Sequence, residues 1–99
     1  MPLTVRDTEG DTRDIAVSGS FTFDALRDFR KAYLGSVKGK KYVLDLRDVE
    51  YLDSSALGMI LLLREFVGED SKRLRVINSK PDIKNIFAVS SMDKIIEIA

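Results

Sequence analysis

Four carboxylates and two hydroxyls lie close together in the middle of the chain, and their types could support chemistry. They are Asp45, Asp48, Glu50, Asp53, Ser54 and Ser55. A pair of carboxylates can act as acid and base in glycoside or phosphate chemistry. Here no second catalytic element accompanies them. Asp45 alternates with aliphatic residues in a predicted strand, and the other carboxylates lie at a strand end, where surface carboxylates and helix caps are common. We therefore expect structural roles for these carboxylates.

The composition excludes most other kinds of active site. The 99 residues include no Cys and no His, so the usual ligands of zinc, iron and copper are absent. The glycines form neither the dinucleotide-binding fingerprint nor the P-loop. A nucleophilic Ser54 or Ser55 would have only lysines or carboxylates as its base. We expect no metal, no cofactor and no enzymatic activity.

Charge and hydropathy give no sign of a nucleic-acid or membrane partner. Sixteen basic and sixteen acidic residues cancel, and the basic segment 38–41 is interpreted as a solvated loop. No apolar run approaches the roughly 20 residues that span a bilayer, and the N-terminus lacks the apolar stretch of a secretory signal. We expect one domain covering residues 1–99, without disulfides, in the cytoplasm.

The hydrophobic pattern predicts the order β-β-α-β-α-β-α-β. An alternating hairpin opens the chain, Gly19 ends its second strand, and Thr22 caps the first helix. The strand at 42–46 is apolar on both faces, as a central strand covered on both sides would be. The predicted segments are strands at 3–7 and 13–18, a helix at 23–34, a strand at 42–46, a loop at 47–52, a helix up to Gly68, a strand at 73–77, a helix starting at 79–81 and a strand at 94–98.

This order predicts an α/β fold with a mixed, mostly parallel sheet. Strand-helix-strand units require parallel strands, whereas the opening hairpin adds one antiparallel neighbour. The apolar segment from Met59 to Phe66 is interpreted as a core helix. Asp53, Ser54 and Ser55 precede this helix, just beyond the carboxyl end of the central strand, where functional loops of α/β sheets gather. Taken alone, the three residues are a helix N-cap.

A more specific interpretation comes from the segment YVLDLRDVEYLDSSALGMIL, residues 42–61. It resembles the signature of STAS domains, the family of bacterial anti-sigma factor antagonists, and the predicted element order is similar to that fold from residue 3 to 98. The chain departs from many members at Ala56, where they carry glycine. The resemblance implies that a partner anti-sigma factor with serine kinase activity phosphorylates Ser55, with Ser54 as the alternative site. It also implies release of that partner on phosphorylation and a serine phosphatase of the PP2C type.

The resemblance further implies a partner-binding surface formed by Glu50, Tyr51, Asp53, Ser54 and Ser55, on a chain that is a monomer when free. A phosphate at the start of a helix is favoured by the helix dipole, so we expect phosphorylation to act at the interface and not on the fold. An alternative stays open: a non-switching docking subunit of a transporter or signalling assembly would have the same residues.

Overall fold

The computed structural model describes residues 3–8, 11–34, 41–68 and 73–99. These contain five strands, three α-helices and two short 3-10 helices, one before α1 and one after α3. In chain order they are β1 (Leu3–Thr8), β2 (Thr12–Phe21), the 3-10 helix Phe23–Ala25, α1 (Leu26–Tyr33), β3 (Lys41–Leu52), α2 (Ser54–Val67), β4 (Leu74–Ile77), α3 (Pro81–Val89), the 3-10 helix Met92–Lys94 and β5 (Glu97–Ile98).

The five strands form one mixed sheet in the order β1-β2-β3-β4-β5. The β1–β2 pair is antiparallel, and the other three pairs are parallel. The predicted hairpin, the predicted element order and the mostly parallel α/β sheet are therefore confirmed. The predicted turn at residues 9 and 10 and most of the basic segment 38–41 lie outside the described residues, with Lys41 described as the first residue of β3.

Helices cover one face of this sheet, so the prediction that β3 is covered on both faces is wrong. Buried and less buried residues alternate from Tyr42 to Leu46, with Leu44 fully buried and Val43 and Asp45 only half-buried. The buried strand residues belong to one cluster with those of all three helices. Val43 is apolar but lies on the open face, in the same row as Arg75 of β4, and hydrophobicity alone could not reveal that.

β3 is also much longer than predicted, and the expected loop at 47–52 is wrong. The register between β2 and β3 shifts twice, and each shift leaves one extra residue in β3 as a bulge. The first bulge lies between Asp45 and Asp48, and the second lies between Val49 and Tyr51. As a result the buried residues Leu46, Val49 and Leu52 follow one another at intervals of three. A bulge breaks the period-two alternation of a strand, so this segment carries no strand signal in the sequence.

β2 continues through Gly19, which the sequence analysis took as its end. Gly19 has φ +73°, a conformation that costs glycine little, and it lies at one of the two bulges. Thr22 precedes a 3-10 helix and makes no side-chain cap hydrogen bond, so the predicted Thr22 cap is also wrong. The last strand is short, because residues 92–94 form a 3-10 helix and only Glu97 and Ile98 pair with β4.

α2 is less buried than predicted. Met59, Ile60 and Leu63 lie in the core, but Leu61 is 37% exposed and Leu62 is 47% exposed. No helix among the described residues is long and apolar enough to cross a membrane.

Candidate functional site

The carboxyl ends of the parallel strands meet at one edge of the sheet. β2, β3 and β4 run in the same direction, and each is followed at this edge by a connection that leads back to a helix. Thr22 follows β2, Asp53 follows β3, and Asn78 follows β4. Side chains from three separate connections therefore border one surface, with the central β3–α2 connection in the middle.

Asp53 forms the N-cap of α2 through its side chain. Its backbone is extended, with φ −108° and ψ −179°, and its Oδ1 accepts a hydrogen bond from the Ala56 N–H at 3.0 Å. The Asp53 carbonyl accepts from the same N–H at 3.1 Å. The Asp53 N–H donates to the Phe21 carbonyl at 3.4 Å, so the cap is tied to the end of β2. The predicted capping role of Asp53 is confirmed.

Ser54 and Ser55 are the first two residues of α2. Ser54 is exposed and Ser55 is half-buried. Among the described residues neither hydroxyl has a hydrogen-bond partner, and the backbone N–H groups of both serines also have no acceptor. The first N–H groups of a helix carry partial positive charge, so an anion is favoured at this position. The hydroxyls are thus available for modification or for contact with a partner.

Glu50 and Tyr51 lie on the last residues of β3, just before the cap. Tyr51 is 56% exposed and pairs in register with Ser20 of β2. Glu50 is part of the second bulge and its carboxylate lies 4.0 Å from Lys80 Nζ, with the Glu50 side chain 80% exposed. The structure therefore places all five residues predicted for partner binding on one continuous stretch at this edge.

Asp45 and Asp48 do not join this stretch as an acid pair. Asp45 Oδ1 accepts hydrogen bonds from the Arg47 N–H at 3.0 Å and from Asn78 Nδ2 at 3.2 Å. These hydrogen bonds connect the first bulge of β3 to the β4–α3 connection. Asn78, in that connection, has a positive φ of 61°. Asp48 is exposed. No group of three metal-ligating carboxylates exists in the described part of the chain.

Two residues at the same edge were missed by the sequence analysis, the exposed Phe23 and the half-buried Lys80. Phe23 follows the end of β2 and is 64% exposed. Lys80 precedes α3 and pairs with Glu50. The parallel strand order was the signal that could have found both, because it brings the ends of β2 and β4 next to the end of β3.

Comparison with known proteins places this arrangement in a family. The family model described as "Mlab, STAS domain" matches residues 4–97. A STAS-domain containing protein of Pseudomonas aeruginosa is 39% identical over 92 residues, which cover 92% of this chain and 91% of that protein.

Solved structures share the fold at low identity. An anti-sigma factor antagonist from Mycobacterium paratuberculosis superposes with a TM-score of 0.81 at 20% identity, covering 97% of this chain and 82% of that one. The Bacillus protein SpoIIAA in its phosphorylated form gives a TM-score of 0.72 at 18% identity, covering 98% and 90% of the two chains. The five-stranded sheet, the helix order and the sequence relationship together show that this chain belongs to the STAS domain family.

Proposed function

We propose that the chain is an anti-sigma factor antagonist that acts as a phosphorylation-controlled binding switch. Its unphosphorylated form binds a partner anti-sigma factor that is also a serine kinase, and phosphorylation of Ser55 releases that partner. A PP2C-type serine phosphatase restores the binding form. The chain acts in the cytoplasm as a monomer and performs no catalysis itself.

The observation that carries this proposal is the position of Ser55. Its hydroxyl has no partner among the described residues, and it lies in the first turn of α2, directly after the cap made by Asp53. Ser54 is more exposed and remains the alternative acceptor. Family membership supports the assignment, as does the occurrence of the same fold in an anti-sigma factor antagonist solved in its phosphorylated form.

The physical chemistry of the site indicates how the switch works. A phosphate on Ser55 brings a charge of about −1.5 to −2 to a helix N-terminus, where the dipole and the available N–H groups favour an anion. The added charge therefore leaves α2 intact. The phosphate instead weakens the interface, because it repels acidic groups of the partner and because its hydration is lost when the partner covers it. The neighbouring carboxylates of Asp53 and Glu50 add further negative charge at this place.

A binding experiment with three variants tests the switch. Wild type, Ser55→Ala, Ser55→Asp and the control Ser54→Asp are used as baits in host lysate, and bound proteins are identified by mass spectrometry. We expect an anti-sigma serine kinase on wild type and Ser55→Ala, and its loss from Ser55→Asp. Incubation of the purified kinase with MgATP should then phosphorylate wild type but not Ser55→Ala.

The opposite outcomes are equally informative. If all four baits retain the same partner, Ser55 is only part of a helix N-terminus and the chain is a constitutive docking subunit. If Ser54→Asp loses the kinase and Ser55→Asp keeps it, the switch operates at Ser54. Backbone NMR shifts of the phosphorylated protein should change only around residues 50–60, and widespread changes would contradict a switch confined to the interface.

A further inference from the structure

The outward side of α1 and of the 3-10 helix before it carries two exposed apolar residues with cations between them. Phe23 is 64% exposed and Leu34 is 49% exposed. Arg27 and Arg30 lie between them at steps of four, three and four residues, so the four side chains form one line along the helix. We refer to these four residues as the α1 row. A single exposed apolar residue is ordinary, but two that bracket cations on one helix face form a patterned surface.

The cations of the α1 row are available to a partner. Neither Arg27 nor Arg30 makes an ion pair or a side-chain hydrogen bond in the part of the chain that the structure describes. The same holds for Lys31, which is exposed and follows Arg27 by four residues. From residue 23 to residue 41 the sequence has six basic and two acidic residues, although the whole chain is neutral. The complement of this surface is therefore an anion.

Acidic residues lie beside the α1 row and not in it. Asp24 and Asp28 are four residues apart and occupy the adjacent line of the helix. Glu65, the only acidic residue of α2, is exposed in the last turn of that neighbouring helix. A narrow acidic segment can lie on the row without covering these carboxylates. A broad anionic surface such as a bilayer would cover them as well, and that is unfavourable.

The shape of this face also fits a chain segment. A groove of about 920 Å³ runs along it, and its lining comprises the four row residues with Leu26, Lys31 and the two aspartates. Phe23 and Leu34 are eleven residues apart, which corresponds to roughly 16–18 Å along the helix. About five residues of extended chain span this distance. A flat bilayer would leave the groove unfilled and lose the contacts that a segment lying in it makes.

The second half of the α1 row lies far from the proposed switch. Tyr33, the residue before Leu34, contacts Phe66 of α2 with ring centroids 5.1 Å apart. Phe66 follows Ser55 by eleven residues, which is about 16 Å along the axis of α2. This distance exceeds the Debye length of about 8 Å at physiological ionic strength, so a phosphate on Ser55 is largely screened at this end. Binding at this half of the row is therefore insensitive to the state of Ser55.

We propose that the α1 row binds an acidic segment of a protein, with the carboxylates of the segment over the cations and its apolar side chains against Phe23 and Leu34. The segment binds whether or not Ser55 is phosphorylated. The chain thus holds a second protein while the switch binds and releases the first. This inference goes beyond the proposed function and does not depend on it.

A peptide titration with charge-matched variants tests the inference. The probe is a fluorescein-labelled peptide in which two leucines flank four glutamates, and its anisotropy is followed as the full chain is added. Wild type is compared with Arg27→Glu/Arg30→Glu. The control Lys84→Glu/Lys94→Glu has the same net charge, but it changes exposed cations in α3 and in the 3-10 helix that follows. Ser55→Asp tests independence from the switch, and melting curves check that every variant folds.

We expect saturable binding that weakens as salt is raised. Arg27→Glu/Arg30→Glu should bind about tenfold or more weakly, whereas the control variant and Ser55→Asp should change the affinity by less than about twofold. A second probe with glutamines in place of the glutamates should also bind about tenfold or more weakly than the first.

Three results would overturn the inference. Wild type binding neither probe, or both alike, would show that the α1 row does not recognise acidic segments. Equal weakening by the control variant would show that only net charge matters. Sedimentation of wild type with vesicles of phosphatidylglycerol and phosphatidylcholine, without peptide binding, would identify a lipid surface as the occupant. The effect of Ser55→Asp on kinase binding is measured separately, so the proposed function and this inference can fail independently.

Discussion

Replacing Asp53 by alanine removes the side-chain acceptor at the start of α2. Oδ1 of Asp53 receives the Ala56 N–H at 3.0 Å, and Ala56 is fully buried behind the cap. Without this oxygen, the amide depends on the longer bond to the Asp53 carbonyl. Loss of an N-cap side chain typically lowers the free energy of unfolding by about 1 kcal/mol, within a range of roughly 0.5–2 kcal/mol.

This loss should be visible in a thermal melt. For a domain of this size, a change of about 1 kcal/mol shifts the melting temperature by roughly 4–8 °C. Circular dichroism at 222 nm on wild type, Asp53→Ala and Asp53→Asn gives the comparison. Asparagine caps helices about as well as aspartate, so Asp53→Asn should lose only the few tenths of a kcal/mol that the charge contributes beside the helix dipole.

The paired variants separate the hydrogen bond from the charge. If Asp53→Ala melts with wild type, the cap does not stabilise the protein and the interpretation of Asp53 as a structural residue is refuted. If Asp53→Asn is destabilised as much as Asp53→Ala, the negative charge is what stabilises α2. In that second case a phosphate on the adjacent Ser55 would strengthen the helix more than we expect.

Two further predictions concern the elements that hold this edge in place. Gly19→Ala should lower the free energy of unfolding measured in urea by about 1 kcal/mol, because alanine is strained at φ +73°. Steric clash does not contribute, since an added Cβ would meet no atom within 4 Å. An unchanged denaturation midpoint would show that the bulge relaxes. Arg13→Lys should cost about 1 kcal/mol, because Arg13 bonds both carboxylate oxygens of Asp7 and also the Ala32 carbonyl. The matched control Arg6→Lys, whose ion pair with Asp14 is 3.9 Å long and mostly exposed, should have no measurable effect.

The sequence predicted the architecture well wherever a regular period was present. The order of strands and helices followed from alternating and helical spacing, and Pro81 marked the first residue of α3 as expected. The failures cluster on β2 and β3, where bulges replace the period of two by steps of three at Leu46, Val49 and Leu52. A local pattern cannot show a bulge, because the extra residue is defined by the neighbouring strand.

Only part of the candidate site could be predicted from the sequence. Asp53 at an N-cap follows from local sequence, because an aspartate before an apolar helix has one common role. The exposed side of α2 does not follow, since Leu61 and Leu62 are chemically the same as the buried Leu63. Only the position of the sheet decides which leucines face the core. Phe23 and Lys80 were missed for the same reason, because their relation to Ser55 depends on strands far apart in sequence.

The magnitudes at Ser55 explain why a phosphate there would control binding more strongly than folding. At the helix N-terminus the added charge gains about 0.3–1 kcal/mol from the dipole when it is exposed, and the nearby Asp53 carboxylate offsets part of this gain. Covering the same phosphate with an apolar partner surface removes its hydration, which costs several kcal/mol when no cation is supplied. From residue 54 to residue 63 this chain offers no cation on α2. The nearest cation that the structure places at this edge, Lys80, already faces the Glu50 carboxylate, with Nζ and Oε1 4.0 Å apart. A partner surface that offers no further cation opposite Ser55 would therefore be released by the phosphate.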